Sequence, residues 1–148
     1  MTPAGSGAYL IEETDSMIAT HTLDGGGTLT LLQRQSSRAS GATGNNTGAE
    51  VQVHPTGSFV YVSNRGDDDS GIFSIGGDGR LTAIAHVKTG GTTPRHFSIE
   101  PSNRFLLVAN QGAGDVRVFA IAPSGMLSAV GTPVSATMPS FVGVVPAP

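Results

Sequence analysis

Five side chains in this sequence have the types and spacing to do acid–base or anion chemistry: Glu13, Arg65, Glu50, His96 and Arg95. Glu13 and Arg65 stand 52 residues apart, and Glu50 and His96 stand 46 apart. A carboxylate facing a guanidinium could activate water while the cation stabilises the negative charge that develops. The guanidinium could equally clamp a phosphate. A histidine titrates near neutrality and could shuttle a proton. The plainer alternative for each pair is structural, a contact that holds neighbouring elements together.

Both spacings are repeat lengths. Residues 51–96 set over 97–142 match without a gap, pairing Pro55 with Pro101, Phe59 with Phe105, Asn64 with Asn110 and Gly66 with Gly112. The match continues through Asp69 with Asp115, Phe73 with Phe119 and Gly79 with Gly125. A third copy lies upstream at an offset of 52, with Pro3, Gly5, Tyr9, Gly27 and Leu29 on Pro55, Gly57, Tyr61, Gly79 and Leu81. The six extra residues fall in Ser36–Gly48, a stretch of Gly, Ser, Thr and Asn that reads as a loop. The scaffold repeats while one tip changes, from Glu13 to Arg65 to Gln111.

Each unit reads as strands only. Val51–His54, Phe59–Asn64, Gly71–Ile75 and Leu81–Val87 are short alternating or apolar runs, and Gly76–Gly79 between the last two is a hairpin turn. Nothing sustains a 3.6-residue apolar period. Four short strands in about 45 residues is the pattern of a β-propeller blade. The fold class is therefore all-β, a propeller of four-stranded blades over residues 1–148. Its units are 3–34, 50–88 and 95–134, followed by a lone first strand at 141–145. Three blades are fewer than a closed ring carries, so the chain is expected to be the C-terminal part of a longer propeller. Failing that, copies should self-associate through unpaired blade edges, residues 141–145 completing the first blade of another copy. Equivalent ends of neighbouring blades share a face of the disc, which brings Glu13 and Arg65 to one channel mouth. Glu50 and His96 each open an innermost, channel-lining strand. Arg95, next to His96, should point to the opposite strand face, capping a blade corner or binding phosphate.

The stretch Ala49–Gly66, ending in Ser63-Asn64-Arg65-Gly66, resembles the lactonase family of seven-bladed propellers. So do Thr93-Pro94-Arg95-His96-Phe97, Arg104–Gln111 and the closing Pro139–Val145. That family includes bacterial 6-phosphogluconolactonases of the cycloisomerase type and the carboxy-muconate lactonising enzyme. The resemblance implies hydrolysis of a sugar lactone, 6-phosphogluconolactone, in carbohydrate metabolism, without a cofactor. It places the functional carboxylate at Glu13, within Tyr9-Leu10-Ile11-Glu12-Glu13, and the functional guanidinium at Arg65. Glu13 would then be base or proton shuttle and Arg65 oxyanion stabiliser or phosphate clamp, with Glu50, His96 and Arg95 on the substrate. Glu12 departs from the family, which usually has an amide there. The resemblance also implies that further His and Arg groups of the mouth lie before Met1. A non-catalytic binding propeller and a carboxy-muconolactone substrate remain alternatives.

Other chemistry is disfavoured. A net charge of −3, with eight basic residues scattered among 148, gives no footprint for nucleic acid. The absence of cysteine removes disulfides, thiolate zinc sites and a Cys nucleophile, and is consistent with a cytoplasmic protein. Met1–Gly7 lacks the basic start and apolar centre of a signal peptide, and no apolar run is long enough for a membrane helix. Asp67-Asp68-Asp69 lacks calcium-loop spacing, and the recurrence of Asp69 as Asp115 suggests a turn role. His21 and His54 are lone strand histidines in no zinc pattern. Gly25-Gly26-Gly27 is a hairpin turn, with no strand-to-helix context for phosphate.

Overall fold

The computed structural model describes residues 6–146, and these form strands, turns and loops with no helix. Pro3 and Gly5, used above to align the first copy, lie outside the described residues. Three antiparallel meanders follow one another. The first is β1 (Ser6–Glu12), β2 (Met17–Leu23) and β3 (Leu29–Ser36). The second is β4 (Thr47–Val53), β5 (Phe59–Arg65), β6 (Asp69–Ile75) and β7 (Leu81–Lys88), and the third is β8 (Pro94–Ile99), β9 (Phe105–Asn110), β10 (Asp115–Ile121) and β11 (Leu127–Ser135). These are three sheets of a partial propeller. The turn expected at Gly76–Gly79 is present, and Gly27, Gly79 and Gly125 take the same positive φ, 86°, 84° and 83°. A residue with a Cβ is strained there.

Apolar side chains bury between sheets rather than within one. Tyr61 and Ile72 of the second blade pack with Phe97, Leu106, Val108 and Phe119 of the third. Ile18 of the first blade packs with Val60, Val62 and Phe73 of the second, with Tyr9 and Ile11 at the margin. Fully burying such a side chain contributes about 1.5–3 kcal/mol, so each junction is a small core. Repeat-equivalent tyrosines add a bond across each: Tyr9 donates to the carbonyl of Gly79 at 3.1 Å and Tyr61 to that of Gly125 at 2.9 Å. Burial pushes the Tyr61 hydroxyl up to about 12.

Two features differ from the sequence-based expectation. The innermost strands of the second and third blades start earlier and carry a bulge. Gly48 opposes Asn64 and Val51 opposes Val62, so Ala49 and Glu50 share one position on β5. Likewise Pro94 opposes Asn110 and His96 opposes Ala109, leaving Arg95 as the extra residue. Residues 141–145, expected as a lone strand, form none. A strand requires a ladder partner, and among the described residues this segment has none; Phe141 lies instead on His96 of β8.

Candidate active site at the blade mouth

In the second and third blades a polar corner ends the second strand and positions the tip residue. Asn64 is fully buried; its Nδ2 donates to Asp69 Oδ1 and to the Ser37 carbonyl, both at 2.9 Å. Its Oδ1 accepts from Ser37 Oγ at 2.7 Å and Asn46 Nδ2 at 3.3 Å. This pins the end of β5, and Arg65 follows directly. Gly66 comes next with φ 122°, and the backbone of Asn45 passes so close that no Cβ would fit. The glycine of the Ser63-Asn64-Arg65-Gly66 corner is thus required by the loop that crosses it. In the third blade Asn110 Nδ2 donates to Asp115 Oδ1 at 2.9 Å, the repeat of the Asn64–Asp69 bond.

The acidic run serves the same corner. Asp67 accepts two bonds from Arg38, at 2.7 and 2.8 Å, and this guanidinium holds its carboxyl below the usual range. Asp68 Oδ1 accepts from the Thr93 amide at 2.8 Å. Burial pushes the Asp69 carboxyl up, against the opposing bond from Asn64. Each aspartate therefore has a structural partner, in line with the turn role read from the recurrence of Asp69.

Across the first junction, Arg65 Nη2 donates to Glu13 Oε1 and, at 3.2 Å, to the Gly48 carbonyl. The Arg65 side chain is 16% exposed and that of Glu13 62%. Arg65 hydrogen bonding, then its charge, holds the Glu13 carboxyl below its usual range, helped by Arg95. Arg95 Nη1 lies 3.9 Å from the same carboxylate oxygen. The expectation that Arg95 points to the opposite strand face is thus corrected. Alternation of side chains fails at a bulge, which re-aims the extra residue, and Arg95 reaches from the third blade to the first. Beside it His96 Nε2 sits 3.3 Å from Glu50 Oε2. The Val142 amide donates to His96 Nδ1 at 3.3 Å, which puts the proton of the neutral ring on Nε2, facing Glu50. The Phe141 ring packs on the imidazole with centroids 4.3 Å apart.

All five expected residues therefore gather at one end of the strands. Two guanidiniums face one carboxylate, with a carboxylate–imidazole pair next to them. Arg65 Nε is buried without a hydrogen-bond partner among the described residues.

The family model for lactonase, the seven-bladed β-propeller, matches residues 1–144. The chain belongs to the lactonase family. No curated protein sequence matches it. Among solved structures, this lactonase-family chain is similar to a protein from Lactobacillus plantarum, with a TM-score of 0.87 and 32% identity over 93% of its residues. It is similar to the periplasmic gluconolactonase of Pseudomonas aeruginosa, with a TM-score of 0.86 and 32% identity over 95%. It is also similar to a candidate 6-phosphogluconolactonase from Bacteroides fragilis, with a TM-score of 0.84 and 26% identity over 95%. The chain spans 41%, 40% and 39% of those three proteins.

Within the lactonase fold, Glu12 is turned away from the mouth into a surface ion pair. It accepts from Arg34 Nε at 3.0 Å, and Arg34 also reaches Asp15 at 2.7 Å. His54 is a buried brace, bonded to Thr56 Oγ1 at 2.8 Å and the Asn103 carbonyl at 3.1 Å. Sequence reasoning missed the contribution of Phe141 and Val142 to His96. The signal was the position of Pro139-Ser140-Phe141 after the last full blade, which reads as a strand start as readily as a cap.

Proposed function

We propose that this chain carries part of the catalytic mouth of a lactone hydrolase whose substrate is a phosphorylated sugar lactone, 6-phosphogluconolactone. The observation that carries the reading is the convergence of Arg65 and Arg95 on Glu13, which sets two guanidinium donors side by side at the mouth, where an anionic group of a ligand could bond them. Kinship to a family that includes sugar lactonases points the same way.

Ring opening proceeds in balanced steps. A base takes a proton from water, and the oxygen attacks the lactone carbonyl carbon. A guanidinium stabilises the resulting oxyanion. The ring C–O bond then breaks, and the ring oxygen takes the proton to become a hydroxyl, leaving a carboxylic acid that ionises. Glu13 is a weak base while Arg65 holds it ionised, because base strength falls with pKa. A substrate phosphate or carbonyl that engages Arg65 releases Glu13 to accept the water proton. Arg95 then clamps the phosphate. His96, held by the Val142 amide, orients Glu50.

The test is a comparison of substrates. Arg95→Ala should raise KM for 6-phosphogluconolactone about tenfold and leave gluconolactone hydrolysis nearly unchanged, as expected for loss of a charge-assisted contact. Equal effects on both substrates would remove the phosphate assignment. The Pseudomonas relative, described as a gluconolactonase, makes that outcome the natural second reading.

A further inference from the structure

At the opposite ends of the strands from the mouth, the first blade junction holds an open-sided pocket of about 440 Å³. Its walls include Gly7, Tyr9 and Thr20 of the first blade, and Val53, Ile75 and the Gly76–Gly79 hairpin of the second. The repeat explains its origin. At the second junction the residue equivalent to Gly7 is Phe59, whose ring fills the space above the equivalent hairpin. A Cβ on Gly125 would lie 2.7 Å from that ring, whereas Gly79 meets only the tip of Leu32, at 3.8 Å. The residue equivalent to Thr20 is Ile72, part of the second junction's core. The first junction has therefore lost an aromatic ring and gained a hydroxyl.

That hydroxyl is not spent on the fold. Thr20 is 1% exposed, and its Oγ1 is buried with no hydrogen-bond partner among the described residues. Thr20 pairs with Tyr9 across β1 and β2, so both face the second blade. The Tyr9 hydroxyl donates to the Gly79 carbonyl and keeps its lone pairs free. A buried hydroxyl without a partner is destabilising unless something else bonds it. The lining surface is mainly apolar, with His21, Asp24 and Asp78 among its residues, and this volume is in the range of small-molecule sites.

We propose that the pocket at the first blade junction is a binding site for a small aromatic ligand bearing one hydroxyl, a phenol. The ring occupies the space that Phe59 fills at the second junction, and the phenolic oxygen bonds Thr20 Oγ1. The site is separate from the Glu13–Arg65 mouth and stands whether or not the mouth hydrolyses a lactone.

Titration of the chain with phenol, followed by NMR, tests it. Saturable shifts at Gly7, Tyr9, Thr20 and Gly79 are expected, with none at Arg65 or His96. Gly7→Phe should abolish them by supplying the missing ring. Thr20→Val, close in shape and free of the hydroxyl, should keep the fold and weaken binding about five- to tenfold, the effect of one hydrogen bond. Non-saturating shifts, shifts centred on the mouth, or unchanged affinity in Thr20→Val would each overturn the proposal. So would undiminished binding in a folded Gly7→Phe; if that variant does not fold, Thr20→Val alone decides.

Discussion

The two blade junctions are built on one plan and differ in what fills them. At the second, Phe59 and Ile72 join Tyr61, Phe97 and Phe119 in a packed core. At the first, the equivalents of Phe59 and Ile72 are Gly7 and Thr20, and the apolar packing moves toward the mouth, onto Ile11 and Ile18. Charge follows the same divide. The first junction is crossed by Glu13–Arg65 at the strand tips and bordered by Arg38–Asp67. The second has Gln111 where the first has Arg65, and Ala113 where it has Asp67. The second junction is the more tightly packed, although Glu50 and His96 meet across it at the mouth. The first gives up packing at its far end, where it has space and a buried hydroxyl instead.

The largest effect should come from exchanging the tips. Arg65→Ala is expected to lower kcat/KM for lactone hydrolysis by about 10²–10³-fold, the usual effect of removing an oxyanion donor. Gln111→Ala, its equivalent on the third blade, should leave turnover unchanged. Equal effects in a hydrolysis assay would erase the functional distinction between the junctions.

The cores provide the next contrast. Phe59→Gly removes from the second junction the ring that the first lacks and should cost about 2–3 kcal/mol, the lower end of the usual loss for deleting a core ring because Phe59 is partly buried. Urea unfolding reads it directly. If the loss is below about 1 kcal/mol, the second junction is no better packed than the first, and the contrast in packing drawn above fails.

Much of this architecture is legible in the sequence because repeats expose it. The offset of 46 places β5 on β9 and β6 on β10 residue for residue, and the recurrence of Asn64–Asp69 as Asn110–Asp115 marks a corner bonded in both blades. Four of the mouth residues, Glu13, Arg65, Glu50 and His96, could be paired from spacing because propeller blades place equivalent positions on one face. Arg95 could not be aimed correctly. Its direction depends on a bulge at Pro94–His96, and a bulge leaves no mark in a strand that is short, polar and begun by proline. The cap formed by Phe141 and Val142 was hidden for a related reason, since an apolar alternating run has the same pattern whether or not a partner strand lies beside it. The exchange of Phe59 for Gly7 is visible in the alignment. What it leaves behind, a pocket next to a hydroxyl with no partner among the described residues, depends on the depth of the junction.

The smallest effect distinguishes the loops at the two junctions through pH. The Asp67 carboxyl is held below its usual value near 3.8 by Arg38, so its bond stabilises the fold above that value and fades as pH falls through the lowered one. Buried Asp69 has the opposite sign. Its folded value is raised, so its charged form costs stability at neutral pH, and the cost is relieved as pH falls through that value. Asp67→Asn should therefore lower stability by about 1 kcal/mol at neutral pH, as befits a two-point ion pair at a partly covered site. The gap from the wild type should close in acid. Ala113 has no carboxyl to lose, so Ala113→Asn at the second junction should show no such closing. Chemical denaturation of both variants at neutral pH and at about pH 3 separates the cases. If the Asp67→Asn deficit persists unchanged in acid, the aspartate acts through shape alone, and charge no longer distinguishes this loop from its repeat.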